Sequence, residues 1–147
     1  MNIKGCFLHS SDDWKTPPEI YDYFIQQGYI DPCPFKAEFD GLKIIHKDKK
    51  VFINPPYSKL KIWTEYAIKL WQEGCKVVLL IPSRTETKYF QELLKYNPKL
   101  FFFKGRLHFN ESKNCAPFPS CLMVLQKGMI YKEYSTIGSI KDLEKIS

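Results

Sequence analysis

Apolar residues fall in short blocks along the chain, and their spacing predicts strands alternating with helices. Ile20, Tyr23, Phe24 and Gln27 recur at helical spacing, and Gly28 fits the stop. Ahead of them, Thr16-Pro17-Pro18-Glu19 reads as a helix start: Thr16 as N-cap, Pro17 at the first position, Glu19 closing a capping box. Tyr29-Ile30-Asp31 predicts a short strand ended by Pro32 and Pro34. Residues 33–50 are loop-like, with Leu42-Lys43-Ile44-Ile45 a short strand or edge. Val51-Phe52-Ile53 is a strand that stops at Asn54-Pro55-Pro56-Tyr57. Ser58 then caps a helix running to about Glu73, whose buried stripe is Leu60, Trp63, Ala67, Leu70 and Trp71, with Gly74 ending it. The continuous apolar run from Lys76 to Ile81 predicts a central strand covered on both faces. Thr85 or Thr87 starts a helix through Phe90, Leu93 and Leu94, ended by Asn97-Pro98. Leu100–Phe103 and Cys121–Leu125 read as strands, and Gly105–Phe109 extends the first or forms a hairpin arm. From Ile130 the pattern weakens to a short helix starting near Ser139, so 130–147 is expected to be a weakly ordered or peripheral tail.

This alternation predicts a single α/β domain over residues 1–147, with a core at about 10–126 and a mostly parallel sheet. The two strands between Leu100 and Leu125 have no obvious helix between them, which predicts an antiparallel edge pair near the C-terminus. Ligands of such sheets bind beyond the carboxyl ends of the strands. Asp31-Pro32, Asn54-Pro55 and Ile81-Pro82-Ser83 all sit at predicted strand ends, so one cleft lined by three proline-bounded loops is implied.

Composition narrows the partner. The 147 residues are 44% hydrophobic and 16% aromatic, enough for a core. The net charge of +6 favours a polyanion. The 22 basic residues include only two arginines, Arg84 and Arg106, which suit specific bidentate contacts or ordinary salt bridges. The five cysteines make no Cys-x-x-Cys pair and no zinc spacing with His9, His46 or His108, so no metal site is expected and the thiols read as reduced, buried hydrophobes of a cytoplasmic protein. No apolar stretch approaches the roughly 20 residues that span a bilayer.

The most informative stretch is Asn54-Pro55-Pro56-Tyr57. Each proline fixes its own φ and lacks an N–H, and each residue before a proline is pushed extended. The result is a stiff bracket: a side-chain amide, carbonyls outside any ladder, and an aromatic plate. An exocyclic amino group on a flat base suits it. Such a nitrogen is a poor nucleophile because its lone pair is delocalised into the ring. If Asn54 Oδ1 and a carbonyl of the turn accept both amino hydrogens, the nitrogen is drawn towards tetrahedral geometry and its lone pair is freed. Tyr57 stacks on a base rotated out of the duplex.

At this point the chain resembles a family, the small phage-type DNA N6-adenine methyltransferases related to Dam enzymes. The likeness covers roughly residues 10–126. It rests on Ser11-Asp12-Asp13-Trp14-Lys15-Thr16-Pro17, Asp31-Pro32-Cys33, Asp40-Gly41-Leu42, Asn54-Pro55-Pro56-Tyr57-Ser58, the run from Ile81 to Thr87, Gly105–Phe109 and Ala116–Ser120. The resemblance implies a Rossmann-like methyltransferase fold using S-adenosylmethionine. In it Asn54, Pro55, Pro56 and Tyr57 hold the adenine, and Trp14, Thr16, Pro17, Asp31, Pro32, Cys33 and Asp40 line the cofactor pocket. Thr16 at a helix N-terminus suits the methionyl carboxylate. Thr16-Pro17 suits a helix cap and a cofactor contact alike, Asp31 and Asp40 also fit turn-capping roles, and Trp14 also fits an anchor for the N-terminus. Ser58, Arg84, Lys88, Arg106, Phe118 and Ser120 are the candidate contacts to duplex DNA.

Two departures stand out. None of the seven glycines forms a Gly-x-Gly pair, and Pro32-Cys33-Pro34 occupies the place of the usual glycine loop. There is also no separate target-recognition domain, so sequence choice falls to the loops 84–88 and 106–120. Methylation of RNA adenine or of a protein glutamine amide, and a non-catalytic DNA- or cofactor-binding relative, remain alternatives. The protein is expected to be a monomer or small homo-oligomer.

Overall fold

The structure, a computed structural model, describes residues 14–34, 40–43, 46–109, 116–128 and 133–147. Among these residues five strands form one sheet: β1 (Lys50–Ile53), β2 (Lys76–Pro82), β3 (Lys99–Phe103), β4 (Ser120–Leu125) and β5 (Glu133–Ile137), in the spatial order β1-β2-β4-β3-β5. Among the described residues three α-helices accompany it: α1 (Pro18–Gln26), α2 (Leu60–Gln72) and α3 (Lys88–Leu94).

The sheet is mixed. β1 and β2 run parallel, as do β3 and β5, but β4 lies antiparallel between β2 and β3. β3 and β4 form the expected antiparallel pair, but β4 is central, so the expected mostly parallel sheet with that pair at its edge is corrected. The physical reason is the β3–β4 connection, which contains no α-helix among the described residues; without a crossover helix the chain returns antiparallel. The predicted strand at Tyr29–Asp31 reduces to one parallel bridge, Ile30 to Val51. Gly41–Lys43 is a 3₁₀ turn, not a strand, and Ile44 and Ile45 lie outside the described residues.

Alternation of side chains along each strand explains the uninterrupted apolar runs. Val51, Ile53, Val77, Leu79, Ile81, Cys121, Met123 and Leu125 face one way, against Trp63, Ala67 and Leu70 of α2 and Phe90 and Leu93 of α3. Phe52, Val78, Leu80, Leu122 and Val124 face the other way, against Ile20 and Phe24 of α1. The C-terminal segment adds Ile137 of β5 and then a 3₁₀ helix, Ile140–Ile146, whose Leu143 and Ile146 join the same layer. That helix follows Ser139, where a start was expected, and a Ser139–Asp142 capping box closes it.

Helix starts differ from expectation in detail. Ser58 lies inside a 3₁₀ turn, Tyr57–Lys59, and α2 begins two residues later. Thr87 does stand at the N-cap of α3, but its hydroxyl donates to the Arg84 carbonyl at 2.7 Å instead of capping the helix. Gly105–Phe109 neither extends β3 nor forms a hairpin arm.

Candidate active site

Strand directions gather the site at one end of the sheet. Ile30, β1 and β2 run the same way, so Asp31, Asn54 and Ser83 emerge together. Pro82 pairs with Ser120 at the start of β4, which returns residues 116–119 to that end. β3 also finishes there and delivers Arg106 and Leu107.

Asn54 is held by its amide nitrogen. Nδ2 donates to the backbone carbonyl of Trp14 and to Thr16 Oγ1 at 3.0 Å. A backbone carbonyl can only accept, so its position fixes which way the amide faces. Oδ1 is left buried with no hydrogen-bond partner. Buried acceptors without partners cost about 1–3 kcal/mol, and such groups cluster where a ligand supplies the partner. Thr16 is thus an orienting residue for Asn54 and not a helix cap. The cap position is Pro17, and no side chain caps α1. With prolines at 17 and 18 the first turn also lacks two N–H groups.

An aromatic box surrounds the turn. The Trp14 ring stacks on Tyr57 with centroids 6.0 Å apart and planes 23° apart. The edges of Phe109 and Phe118 meet Trp14 at 5.7 and 5.6 Å, and Phe118 meets Tyr57 at 5.0 Å. The Tyr57 hydroxyl is buried and unpartnered. Burial first, then the neighbouring Tyr89 and Cys121, push its pKa well above the usual phenol value, against a small opposing effect of Arg84. Tyr57 is a neutral ring here, not a base.

Beside the clamp, the Asp31-Pro32-Cys33 turn is closed by Asp31 Oδ1, which accepts the Cys33 N–H at 2.8 Å. Tyr21 also hydrogen-bonds the carboxyl, but desolvation outweighs both and raises its pKa from 3.8 to about 7. No cationic side chain contributes to that balance. Gly41 packs against this turn so closely that a Cβ would lie 1.7 Å from the Pro32 carbonyl oxygen. Asp40 Oδ1 accepts the Leu42 N–H at 3.1 Å, the turn-capping role.

A family model described as DNA N-6-adenine-methyltransferase (Dam) matches residues 35–145, well over half of the chain. The chain belongs to the Dam family. No curated protein matches it. The match contains the Asn54–Tyr57 turn and everything after it, while Trp14, Thr16, Pro17 and Asp31–Cys33 precede it.

The candidate DNA contacts of this Dam-family chain divide by burial. Ser58, Arg84, Lys88 and Arg106 are exposed. Phe118 and Ser120 are buried, at 5% and 1% exposure: Phe118 is a wall of the aromatic box, and Ser120 Oγ is a buried oxygen without a partner. Arg84 lies over Phe118, its guanidinium carbon 6.0 Å from the ring centroid. The loop carrying it is braced by Tyr89, whose hydroxyl donates to the Pro82 carbonyl at 2.8 Å, and by Gln91, which donates to the Thr85 carbonyl at 2.6 Å. Sequence reasoning missed Phe109 and Tyr89 as parts of the site, Tyr21 as the partner of Asp31, and the reason for Gly41. Phe109 and Phe118, both between β3 and β4 in the sequence, were the available signal for the box; nothing in the pattern pointed to Tyr21. Among the described residues no group of His, Cys, Asp and Glu could hold a metal, and no helix is long and apolar enough to cross a membrane.

Proposed function

We propose that the protein transfers a methyl group from S-adenosylmethionine to the N6 amino group of adenine in DNA, on a base turned out of the duplex. The observation that carries this reading is Asn54: both amide hydrogens face fixed acceptors, and the carbonyl oxygen is a buried acceptor awaiting a donor. A flat base between aromatic walls brings such a donor, its amino group. Oδ1 and a carbonyl of the proline turn accept the two amino hydrogens, and positive charge developing on nitrogen is met by acceptors that need no reorganisation. Tyr57 gives the base a stacking face, and Phe118, edge-on to that ring, helps to exclude water. The Tyr57 phenol, neutral here, is not the base, and the proton of the methylated nitrogen leaves to solvent after attack.

S-adenosylmethionine supplies a methyl group activated by a sulfonium. Asp31 fits such a cofactor, because its desolvated carboxyl lacks a cationic partner and an ammonium would provide one. Cys33 and Asp40 would complete that pocket, with Gly41 holding the two turns together. The exposed Arg84, Lys88 and Arg106 stand at the same end and suit phosphate contacts. A protein glutamine amide poses the same lone-pair problem, but the aromatic box and the +6 charge favour a base on a polyanion.

The test incubates the protein with isotopically labelled cofactor and duplex DNA, RNA or mixed protein in parallel, then measures modified nucleosides and amino acids by mass spectrometry. N6-methyladenine from the DNA arm is expected, reduced by about 10²–10³ in kcat for Asn54→Ala. Folded, cofactor-binding protein that makes no N6-methyladenine on several DNAs would overturn the reading.

A further inference from the structure

The other end of the sheet carries a second concentration of charge. Strands β1, β2 and β3, which run in one direction, each open on a lysine: Lys50, Lys76 and Lys99. Lys50 stands directly across from Lys76 in the β1–β2 register, so the two ammonium-bearing side chains leave the same face at neighbouring-strand spacing. Like charges so placed repel. Lys76 is only partly exposed, and its burial together with Lys50 and Lys99 lowers its pKa. Its Nζ donates to the Ile146 carbonyl at 2.6 Å, and the Lys50 ammonium lies 5.1 Å from the centroid of the Tyr29 ring. The ion pairs seen among the described residues join Lys95 to Glu92 and Lys145 to Asp142; neither Lys50 nor Lys76 takes part in one.

Lysines at strand starts have an ordinary use, which is to solvate the end of an apolar sheet and discourage pairing with other chains. That use asks for side chains that splay into water. Lys50 and Lys76, joined by Lys49, instead line a cavity of about 370 Å³, whose wall also includes Tyr29, Gln126, Asp48 and Ser147. The volume falls within the range of small-ligand sites. β2 spans the distance from this cavity to the Asn54 end, about 20 Å at 3.3 Å per residue, so a small ligand cannot touch both.

We propose that this cavity is a phosphate-binding site, independent of the Asn54 clamp, and that a phosphate-bearing ligand relieves the Lys50–Lys76 repulsion. Three ammoniums outnumber the acidic groups of this wall, the Asp48 carboxylate and the main chain at Ser147, so an anion suits it, and lysine binds phosphate as a compact point charge with three donors. A small phosphate compound and a second stretch of DNA backbone offer the same chemistry.

Calorimetric titration with sodium pyrophosphate at fixed ionic strength tests it, using variants at the exposed Lys49 and Lys50 so that folding is preserved. Saturable one-site binding is expected, weakened at least tenfold in Lys49→Gln/Lys50→Gln. The charge-matched control Lys61→Gln/Lys69→Gln, on exposed positions of α2, should stay within twofold of the parent. Asn54→Ala should also bind normally, which separates this site from the methyl-transfer reading: loss of either leaves the other standing. No saturable binding by the parent, or equal weakening in both double variants, overturns the proposal. A 12-base-pair duplex that displaces pyrophosphate assigns the site to the DNA backbone, and one that does not assigns it to small phosphate compounds; both outcomes support the site.

Discussion

Asp31 should make folding stability depend on pH in a direction unusual for an aspartate. Burial raises its pKa from 3.8 to about 7 in the native state. Between those values the native protein holds a proton that the unfolded chain has released, so stability falls as pH rises. The slope approaches 1.4 kcal/mol per pH unit in that window, and the whole shift amounts to about 4 kcal/mol. The contribution is intact below pH 4 and gone above about pH 8. Asp31→Asn removes the titration and keeps an oxygen to accept the Cys33 N–H. Urea unfolding of both proteins from pH 4 to 8, followed by circular dichroism, isolates the effect as the difference between them. Asp31→Asn should gain on the parent by about 4 kcal/mol across the range, most of it between pH 5 and 7. A difference that stays constant with pH, or moves the other way, refutes the assignment of a desolvated carboxyl. Cofactor binding then takes the opposite sign: if an ammonium settles beside Asp31, affinity rises with pH through the same window, and Asp31→Asn abolishes that rise.

Thr16→Val, which keeps the shape but removes the acceptor for Asn54 Nδ2, should lower kcat about five- to tenfold, the worth of one hydrogen bond, with KM nearly unchanged. An unaltered kcat would show that Thr16 does not orient the amide. Tyr57→Phe deletes a buried hydroxyl that has no partner and should raise the unfolding free energy by about 1 kcal/mol; a loss of stability on chemical denaturation contradicts that geometry. Gly41→Ala forces a Cβ onto the Pro32 carbonyl and should cost about 3 kcal/mol while weakening cofactor binding, whereas Gly105→Ala, where a Cβ meets nothing, should cost only the strain of its positive φ.

Most of the fold is legible in the sequence because local signals and burial agree. The run Lys76–Ile81 is apolar on both faces, and helices do cover both faces of β2. Asn97-Pro98 ends α3 as its composition demands, with Asn97 at φ 52°. Strand order is a different matter. Residues 99–125 contain the right strands, but nothing local states that β4 inserts between β2 and β3 and leaves β3 to pair with β5. That choice is made by long-range pairing, Pro82 with Ser120 and Lys99 with Glu133, which no short-range pattern records.

The site shows the same division for a sharper reason. Asn54-Pro55-Pro56-Tyr57 is readable because its stiffness is written into the prolines. Thr16 misleads because its residue type satisfies the capping rule while its hydroxyl is drawn to Asn54, 38 residues away. The helix forgoes a cap, worth about 1 kcal/mol, and Asn54 gains a fixed orientation. Asp31, Tyr57 Oη and Asn54 Oδ1 follow the same logic: a desolvated acid and two unpartnered oxygens lie at one end of the sheet. Local rules fail together where a ligand is needed to complete them. A cofactor and a base that repaired these defects should therefore stabilise the protein beyond what ligand contacts on a satisfied surface would give. Thermal unfolding with S-adenosylhomocysteine and adenine-containing duplex should show this as a larger shift for the parent than for Asp31→Asn, in which one of the defects is already mended.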